Sequence, residues 1–158
     1  MKAASINEIK QELENLPAPQ LAALCLRLAK FKKENKELLT YLLFENFDEQ
    51  AYIQNVKQEM DEQFEEVNKT NIYFAKKSFR KILRATNKYI RFTQSKQAEI
   101  ELLLHFCSKI KSSGVSLKRN AALNNLYQNQ LKKINKTIST MHEDLQYDYI
   151  KEVEKLID

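Results

Sequence analysis

Apolar residues recur every three or four positions along nearly the whole chain, which is the spacing of amphipathic helices. Polar residues suited to capping divide this pattern into segments. Ser5 and Glu8 have the spacing of a capping box, and Pro17 ends the helix that follows them. Asp48 and Ser95 are favourable N-caps for two later helices. The pattern therefore predicts successive helices joined by short connections.

Further boundaries rest on single residues or short motifs. Asn35 is a candidate cap for a third helix, with one long bent helix as the alternative. Gly114 is placed to end a Leu-rich helix, and the spacing of Thr140 and Glu143 indicates a second capping box and a break near residue 140. These boundaries predict seven or eight helices in consecutive antiparallel hairpins, arranged either as a compact bundle or as a short α-solenoid.

Composition narrows the fold class to all-α. The chain of 158 residues has one Gly and two Pro, which leaves little material for the turns of a β protein. Lys, Glu, Gln and Leu are abundant, and all four favour helices. The length predicts a single domain over residues 1–158 that holds a hydrophobic core without disulfides or metal.

The two cysteines bear on the cellular compartment. Cys25 and Cys107 lie among apolar neighbours, outside any C-x-x-C or Cys/His pattern, so we expect two small hydrophobes in a reducing cytoplasm and no metal site. The N-terminus lacks the form of a signal peptide, and no apolar run approaches the length of a membrane span. The sequence thus predicts a cytoplasmic protein without a membrane partner.

Charge is strongly segregated along the chain. Residues 1–66 carry 8 basic and 13 acidic side chains, residues 67–136 carry 16 basic and 2 acidic, and residues 137–158 carry 2 basic and 6 acidic. The formal net charge of +5 therefore conceals a middle segment of net charge +14 between two acidic ends. Such a segment is a candidate surface for binding an anionic partner.

The basic segment includes one strongly amphipathic helix, "AKKSFRKILRATNKYIR", at residues 75–91. Its apolar side carries Phe79, Ile82, Leu83 and Ile90, which predicts the face that packs on the core. The opposite side carries seven cations and no acid. We call these residues the basic stripe and predict them as a polyanion-binding site: Lys76, Lys77, Arg80, Lys81, Arg84, Lys88 and Arg91.

Two interpretations of the basic stripe compete. The preceding segment, "QEMDEQFEEV", is acidic, so an antiparallel hairpin would let Glu62 and Glu66 neutralise part of the stripe. Alternatively, the stripe binds an external polyanion, and Tyr89 and Phe92 at its edges either stack on bases or join the core. We favour internal neutralisation first, nucleic acid second, and an acidic protein or membrane surface third.

Catalytic groups are scarce. His105 and Cys107 are two residues apart and point to nearly opposite sides of a helix, so they do not form a dyad within it. A structural role is the expectation for His105, and His142 is expected in solvent at a helix junction. A phosphate-binding or dinucleotide-binding loop needs several glycines, and the chain has one. We therefore expect a non-enzymatic protein with no catalytic, cofactor-binding or metal-binding residues.

One stretch near the N-terminus is similar to known sequences. "LENLPAPQLAALCLRLAKFKKENKELLTYLLFE" resembles the opening of a family of small all-helical bacterial proteins of unknown function. The shared features are a Leu-rich helix, a Lys/Asn-rich turn and a helix containing Tyr-Leu. The resemblance covers about 35 residues and implies a helical hairpin, with no activity or site.

These observations predict a helical protein-interaction scaffold or adaptor that binds a protein partner. The alternative is a nucleic-acid-binding protein that uses the basic helix face at residues 76–91. The sequence leaves the partner's identity and the oligomeric state open.

Overall fold

The fold is all-α, as predicted. A computed structural model describes residues 1–157, and within that range it contains eight α-helices, one short 3₁₀ turn at Leu117–Arg119 and no strand. The α-helices are α1 (Ile6–Glu14), α2 (Ala18–Phe31), α3 (Lys33–Phe44), α4 (Glu49–Glu65), α5 (Ile72–Thr93), α6 (Lys96–Ser112), α7 (Ala121–Ile138) and α8 (Glu143–Ile157).

Most predicted boundaries are confirmed by hydrogen bonds. At α1 the Ser5 amide donates to the Glu8 carboxylate at 2.7 Å, and the Glu8 amide donates to the Ser5 hydroxyl at 3.3 Å, which completes the capping box. The carboxylate of Asp48 caps α4, and the hydroxyl of Ser95 caps α6. Gly114, just beyond α6, has a φ of 77°, a left-handed conformation that glycine adopts without strain.

Two predicted caps are wrong. The third helix begins at Lys33, and Asn35 lies inside it, where its side-chain amide donates to the Leu28 carbonyl at 2.9 Å. The break near residue 140 exists, but the Thr140 hydroxyl donates back to the Thr137 carbonyl at 2.7 Å and does not cap α8. Thr140 thus bonds one turn back along its own helix end, a local alternative to capping that Thr often adopts, whereas Asn35 bonds to a carbonyl of α2 seven residues back.

The chain divides into two compact units. The N-terminal unit, Met1–Phe44, contains α1 to α3, and the C-terminal unit, from Glu45 onward, contains α4 to α8. Within the N-terminal unit α2 packs against α3, whereas α1 makes only sparse contacts with either helix. The expectation that residues 1–158 act as one domain stays a prediction.

In the C-terminal unit α6 is the central helix and packs against the other four. Its buried side chains are spread around the helix, so apolar contacts are available to several neighbours. Ion pairs from Lys57 to Glu101 and from Asp61 to His105 show that α4 and α6 run in the same direction. Contact of Phe64 with Phe79 and the hydrogen bond from Tyr52 to Tyr89 show that α4 and α5 run in opposite directions. Helices α4, α5 and α6 therefore alternate in direction, as consecutive hairpins require.

The core of the C-terminal unit is centred on aromatic rings. Phe64 of α4 lies 5.5 Å from Phe79 of α5 and 5.8 Å from Phe106 of α6, measured between ring centroids. Tilted rings at this separation contribute packing energy beyond the area they bury. Phe79 and Phe106 are fully buried, so three helices are tied together at this point. This packing fixes the rotation of α5 and hence the direction of its basic stripe.

Candidate nucleic-acid interface

The inner face of α5 is set by its apolar residues. Phe79, Ile82 and Ile90 are buried as predicted, and Leu83 is half-buried at the edge of that face. Thr86 is buried as well, and its hydroxyl donates to the Ile82 carbonyl at 3.0 Å, so its polar atom is satisfied. Asn71 caps the first turn, which carries no acidic residue. The outer face of α5 is consequently free for the cations.

The basic stripe faces outward over most of its length. Five of its seven members are exposed, namely Lys77, Arg80, Lys81, Arg84 and Arg91, and two are half-buried, namely Lys76 and Lys88. The ammonium of Lys88 lies 4.8 Å from the ring centroid of Tyr89. The first four turns of α5 therefore present the most accessible part of the stripe.

The neutralisation that the sequence suggested does not occur between Lys76 and Arg84. Within residues 1–157, no carboxylate lies within ion-pair distance of any of the five cations in that range. Glu59 accepts a hydrogen bond from the Tyr89 hydroxyl at 2.9 Å, and Glu62 accepts a long one from Gln58 of its own helix. The charge repulsion along this part of α5 is thus not offset by ion pairs with α4.

Acidic residues in and beside α6 pair with cations outside the basic stripe. Asp61 lies 2.6 Å from the His105 ring and 3.1 Å from the Lys109 ammonium. Desolvation raises the pKa of Asp61, but hydrogen bonds from His105 and Lys109 lower it by more, so it lies below its ordinary value. Glu99 pairs with Lys133 at 2.7 Å. These carboxylates are therefore not available to the basic stripe.

Glu101 is the most heavily bonded of these acids. It binds the Lys57 ammonium at 2.9 Å and accepts hydrogen bonds from Gln97 and Tyr149. Desolvation raises its pKa, but these partners lower it by more, so the carboxylate stays charged. Desolvation and this nearby negative charge in turn raise the pKa of Tyr149 to about 12. Glu101 thus stabilises the junction of α4, α6 and α8.

An open groove of about 510 Å³ runs along the basic side of α5. Its lining residues recur at helical spacing: Tyr73, Lys76, Lys77, Arg80, Leu83, Arg84 and Asn87. We call this feature the α5 groove. The amide oxygen of Asn87 accepts a hydrogen bond from Lys133 at 3.2 Å, which connects this end of the groove to α7. The groove combines four cations with one aromatic and one aliphatic side chain, a combination that suits phosphate and base together.

The aromatic residues of this surface differ from those suggested by the sequence. Phe92 is buried, and Tyr89 is half-buried with its hydroxyl bonded to Glu59, so neither is positioned to stack on a base. Tyr73 is 63% exposed, and Phe74, 5.5 Å away, is 49% exposed. Tyr73 lies three positions before Lys76 and four before Lys77, a spacing that identifies it from the sequence as part of the same helix face.

A second groove, of about 570 Å³, shows how charge is arranged elsewhere on this unit. It lies over α6 between α4 and α8, and its charged residues largely pair with one another, as in Lys57 with Glu101 and Lys155 with Glu152. The Lys111 ammonium donates to the Lys155 carbonyl at 2.8 Å. Balanced charge in this groove contrasts with the α5 groove, whose lining among residues 1–157 includes no acid.

Groups that serve catalysis elsewhere are engaged structurally in this chain. His105 is held by Asp61, and Cys107 is buried two residues further on, where desolvation raises its pKa to about 12. Within residues 1–157, no three His, Cys, Asp or Glu side chains are grouped closely enough to hold a metal ion. None of the helices described is long and apolar enough to cross a membrane.

Comparison of the chain with protein-family models, with curated proteins and with solved structures gave no significant match.

Proposed function

We propose that the protein binds nucleic acid through the α5 groove. The observation that carries this proposal is the row of cations from Lys76 to Arg84, none of which has an ion-pair partner within residues 1–157. Like charges at i,i+4 destabilise a helix by about 0.2–0.5 kcal/mol per pair. A bound phosphate backbone offsets that repulsion and releases its condensed counterions on binding.

The aromatic residues favour a nucleic acid with unpaired bases. Tyr73 and Phe74 are exposed at the start of α5, next to Lys76 and Lys77. Stacking of a base on an aromatic side chain contributes about 1–3 kcal/mol and does not depend strongly on the base. The positive end of the α5 macrodipole lies at the same end of the groove and adds to the attraction for phosphate. We therefore expect single strands to bind more tightly than duplexes of the same length.

A fluorescence anisotropy titration tests the proposal with single-stranded and duplex oligonucleotides of DNA and RNA. Affinity should fall steeply between about 50 and 200 mM salt, because each phosphate that the protein neutralises adds about −0.7 to −0.9 to the slope of log K against log salt. The variant K77Q/R80Q/K81Q/R84Q should bind at least about tenfold more weakly and show a slope shallower by about 3.

A matched control removes four cations outside the basic stripe. The variant K2Q/K10Q/K151Q/K155Q has the same net charge as the stripe variant, and all four residues are exposed. It should retain the affinity and most of the salt slope of the parent protein. Equal losses in both variants would show that net charge alone attracts the oligonucleotide. Absence of binding by the parent protein at about 50 mM salt would eliminate the proposal.

A protein-interaction scaffold is the second candidate function, and a different observation favours it. The N-terminal unit exposes many large apolar side chains and buries only Tyr41. Apolar surface on this scale marks a site of protein association. A partner that binds there should remain bound when the basic stripe is neutralised, since the stripe belongs to the other unit.

Under both candidates we propose a non-enzymatic protein that acts without a cofactor in the cytoplasm. Engagement of His105 by Asp61 and burial of Cys107 support the absence of catalysis. The thiol of Cys25 is free and exposed, which suits a reducing compartment. Mass determination of the protein isolated from cells, with thiols blocked at lysis, tests this location by showing whether Cys25 is reduced.

A further inference from the structure

The N-terminal unit has a groove between α2 and α3 of about 540 Å³, which we call the α2–α3 groove. Apolar groups line much of it, chiefly Leu26, Ala29, Leu39, Leu43 and Phe44. The lining also includes Thr40 and four lysines, namely Lys30, Lys32, Lys33 and Lys36. Only Lys33 has a carboxylate partner, Glu37 at 3.8 Å, among the residues described. The groove is therefore apolar in its lining and positively charged along its border.

Helix α1 has the complementary character. Its apolar stripe, Ile6, Ile9 and Leu13, is exposed, and the helix buries no residue. Three glutamates accompany this stripe, namely Glu8, Glu12 and Glu14, against the single cation Lys10. A nine-residue helix is marginal in water without packing, even when a capping box supports its first turn. Helix α1 thus needs an apolar surface bordered by cations.

The α2–α3 groove is such a surface, but α1 does not occupy the groove of its own chain. No residue of α1 lines the groove, and α1 makes only sparse contacts with α2 and α3. The unit of 44 residues is also close to the size below which a domain needs a partner or a covalent constraint for stability. Exchange of α1 between two copies gives α1 an apolar surface to pack on and gives the small unit a partner.

We infer that two copies of the chain form a dimer in which α1 of each copy docks in the α2–α3 groove of the other. Ile6, Ile9 and Leu13 then cover the apolar lining, and the glutamates of α1 meet the lysines of the groove. The exchange is reciprocal, so the contact closes with two-fold symmetry and does not propagate. One docked helix of about 14 Å is small for a stable interface, and two double the buried area. This inference is independent of nucleic-acid binding.

Light scattering coupled to size-exclusion chromatography tests the inference on the full chain. The parent protein should be a dimer that dissociates on dilution. Variant E12K/E14K makes α1 basic, and variant K30E/K32E/K36E makes the groove acidic, since Lys33 is then its one remaining cation and is paired with Glu37. Each variant alone places like charges together, so each should be monomeric at concentrations where the parent protein is dimeric. Circular dichroism should show that each variant keeps most of the helicity of the parent protein, because neither changes the helices of the C-terminal unit.

The two variants should bind each other. The basic α1 of the first fits the acidic groove of the second, and the acidic α1 of the second fits the basic groove of the first, so an equimolar mixture should recover the dimer. A parent protein that is monomeric at about 100 μM would overturn the inference, and so would variants that remain dimeric alone. Monomeric variants that fail to associate on mixing would also contradict it. None of these results depends on the α5 groove, whose residues are intact in both variants.

Discussion

The two units of this protein use similar amphipathic helices in opposite ways. In the C-terminal unit the apolar stripes converge on α6, and residues such as Ile53, Phe79 and Phe106 are completely shielded from solvent. In the N-terminal unit the stripes of α1, α2 and α3 remain largely exposed, and Tyr41 alone is buried. The apolar period of a segment therefore predicts a helix but does not reveal whether its own chain supplies the surface that covers it.

The largest expected difference between the units is in thiol reactivity. Cys25 is exposed in α2, whereas Cys107 is buried in α6 with its pKa raised to about 12 by desolvation. At pH 8 the thiolate fraction of Cys107 is then on the order of one in ten thousand, and access requires opening of the core. A thiol reagent such as DTNB should label one cysteine quickly and the other at least about a thousandfold more slowly.

Two controls accompany the thiol-labelling measurement: unfolding of the protein and substitution of Cys25. Both thiols should react at once in guanidinium chloride, and Cys25→Ser should abolish the fast phase in the native protein. If Cys107 reacted as fast as Cys25 under native conditions, the C-terminal core would not exclude solvent, and the contrast between the two units would fail.

Truncation of equivalent aromatic residues should separate the units by stability. Phe106 is fully buried beside Phe64, so Phe106→Ala should lower the free energy of unfolding by about 3–5 kcal/mol. Phe31, at the end of α2, is 77% exposed. Phe31→Ala should therefore change the free energy of unfolding by less than about 0.5 kcal/mol. Urea unfolding followed by circular dichroism measures both values, and a similar loss in the two variants would contradict the exposed state of Phe31.

The sequence predicted the helices well because their causes are local. The capping box of Ser5 and Glu8, the cap at Ser95 and the glycine after α6 each act within one or two turns. The wrong cap at Thr140 is also local, since its hydroxyl can bond to a carbonyl of the preceding turn as easily as to an amide ahead. Asn35 instead bonds to the Leu28 carbonyl, seven residues back across the break between α2 and α3.

The partners of charged residues were not predictable in the same way. The sequence placed acidic and basic segments next to one another and suggested that they neutralise each other across α4 and α5. In the structure Asp61 pairs with His105 of α6 instead, because packing of Phe64 on Phe79 and Phe106 fixes the rotation of α4. Rotation depends on contacts between residues distant in sequence, and apolar spacing alone does not specify it.

A buried hydroxyl offers a smaller test of the C-terminal core. The Tyr127 hydroxyl donates to the Leu156 carbonyl at 2.8 Å and thereby holds the end of α8 against α7, while desolvation raises its pKa to about 12. Tyr127→Phe should lower the free energy of unfolding by about 1 kcal/mol, because the carbonyl loses its donor. Tyr147 of α8 is exposed, and Tyr147→Phe should leave thermal unfolding unchanged. Equal stability of the two variants would show that the hydrogen bond does not form.

Removal of an ion pair should give the smallest difference in stability between the units. Asp61 links α4 to His105 and Lys109 of α6, whereas Glu14 pairs with Lys10 one turn away in α1, at 3.6 Å. Asp61 is itself 40% exposed, so solvent screening limits its contribution to about 1 kcal/mol or less. Asp61→Asn should therefore lower the free energy of unfolding slightly at pH 7, and Glu14→Gln should not change it measurably.

The pH dependence of stability distinguishes the loss of the Asp61 ion pairs from a loss of packing. The pKa of Asp61 is lower in the folded protein than its ordinary value near 3.9 in an unfolded chain, because hydrogen bonds to His105 and Lys109 outweigh desolvation. Its contribution is therefore complete above about pH 4 and is lost as the pH falls through the folded pKa. Urea unfolding between about pH 2 and 7 should show the parent protein and Asp61→Asn converging in stability at the acidic end. A gap that stays constant as the pH falls would assign the loss to packing, which does not depend on protonation of this carboxyl group.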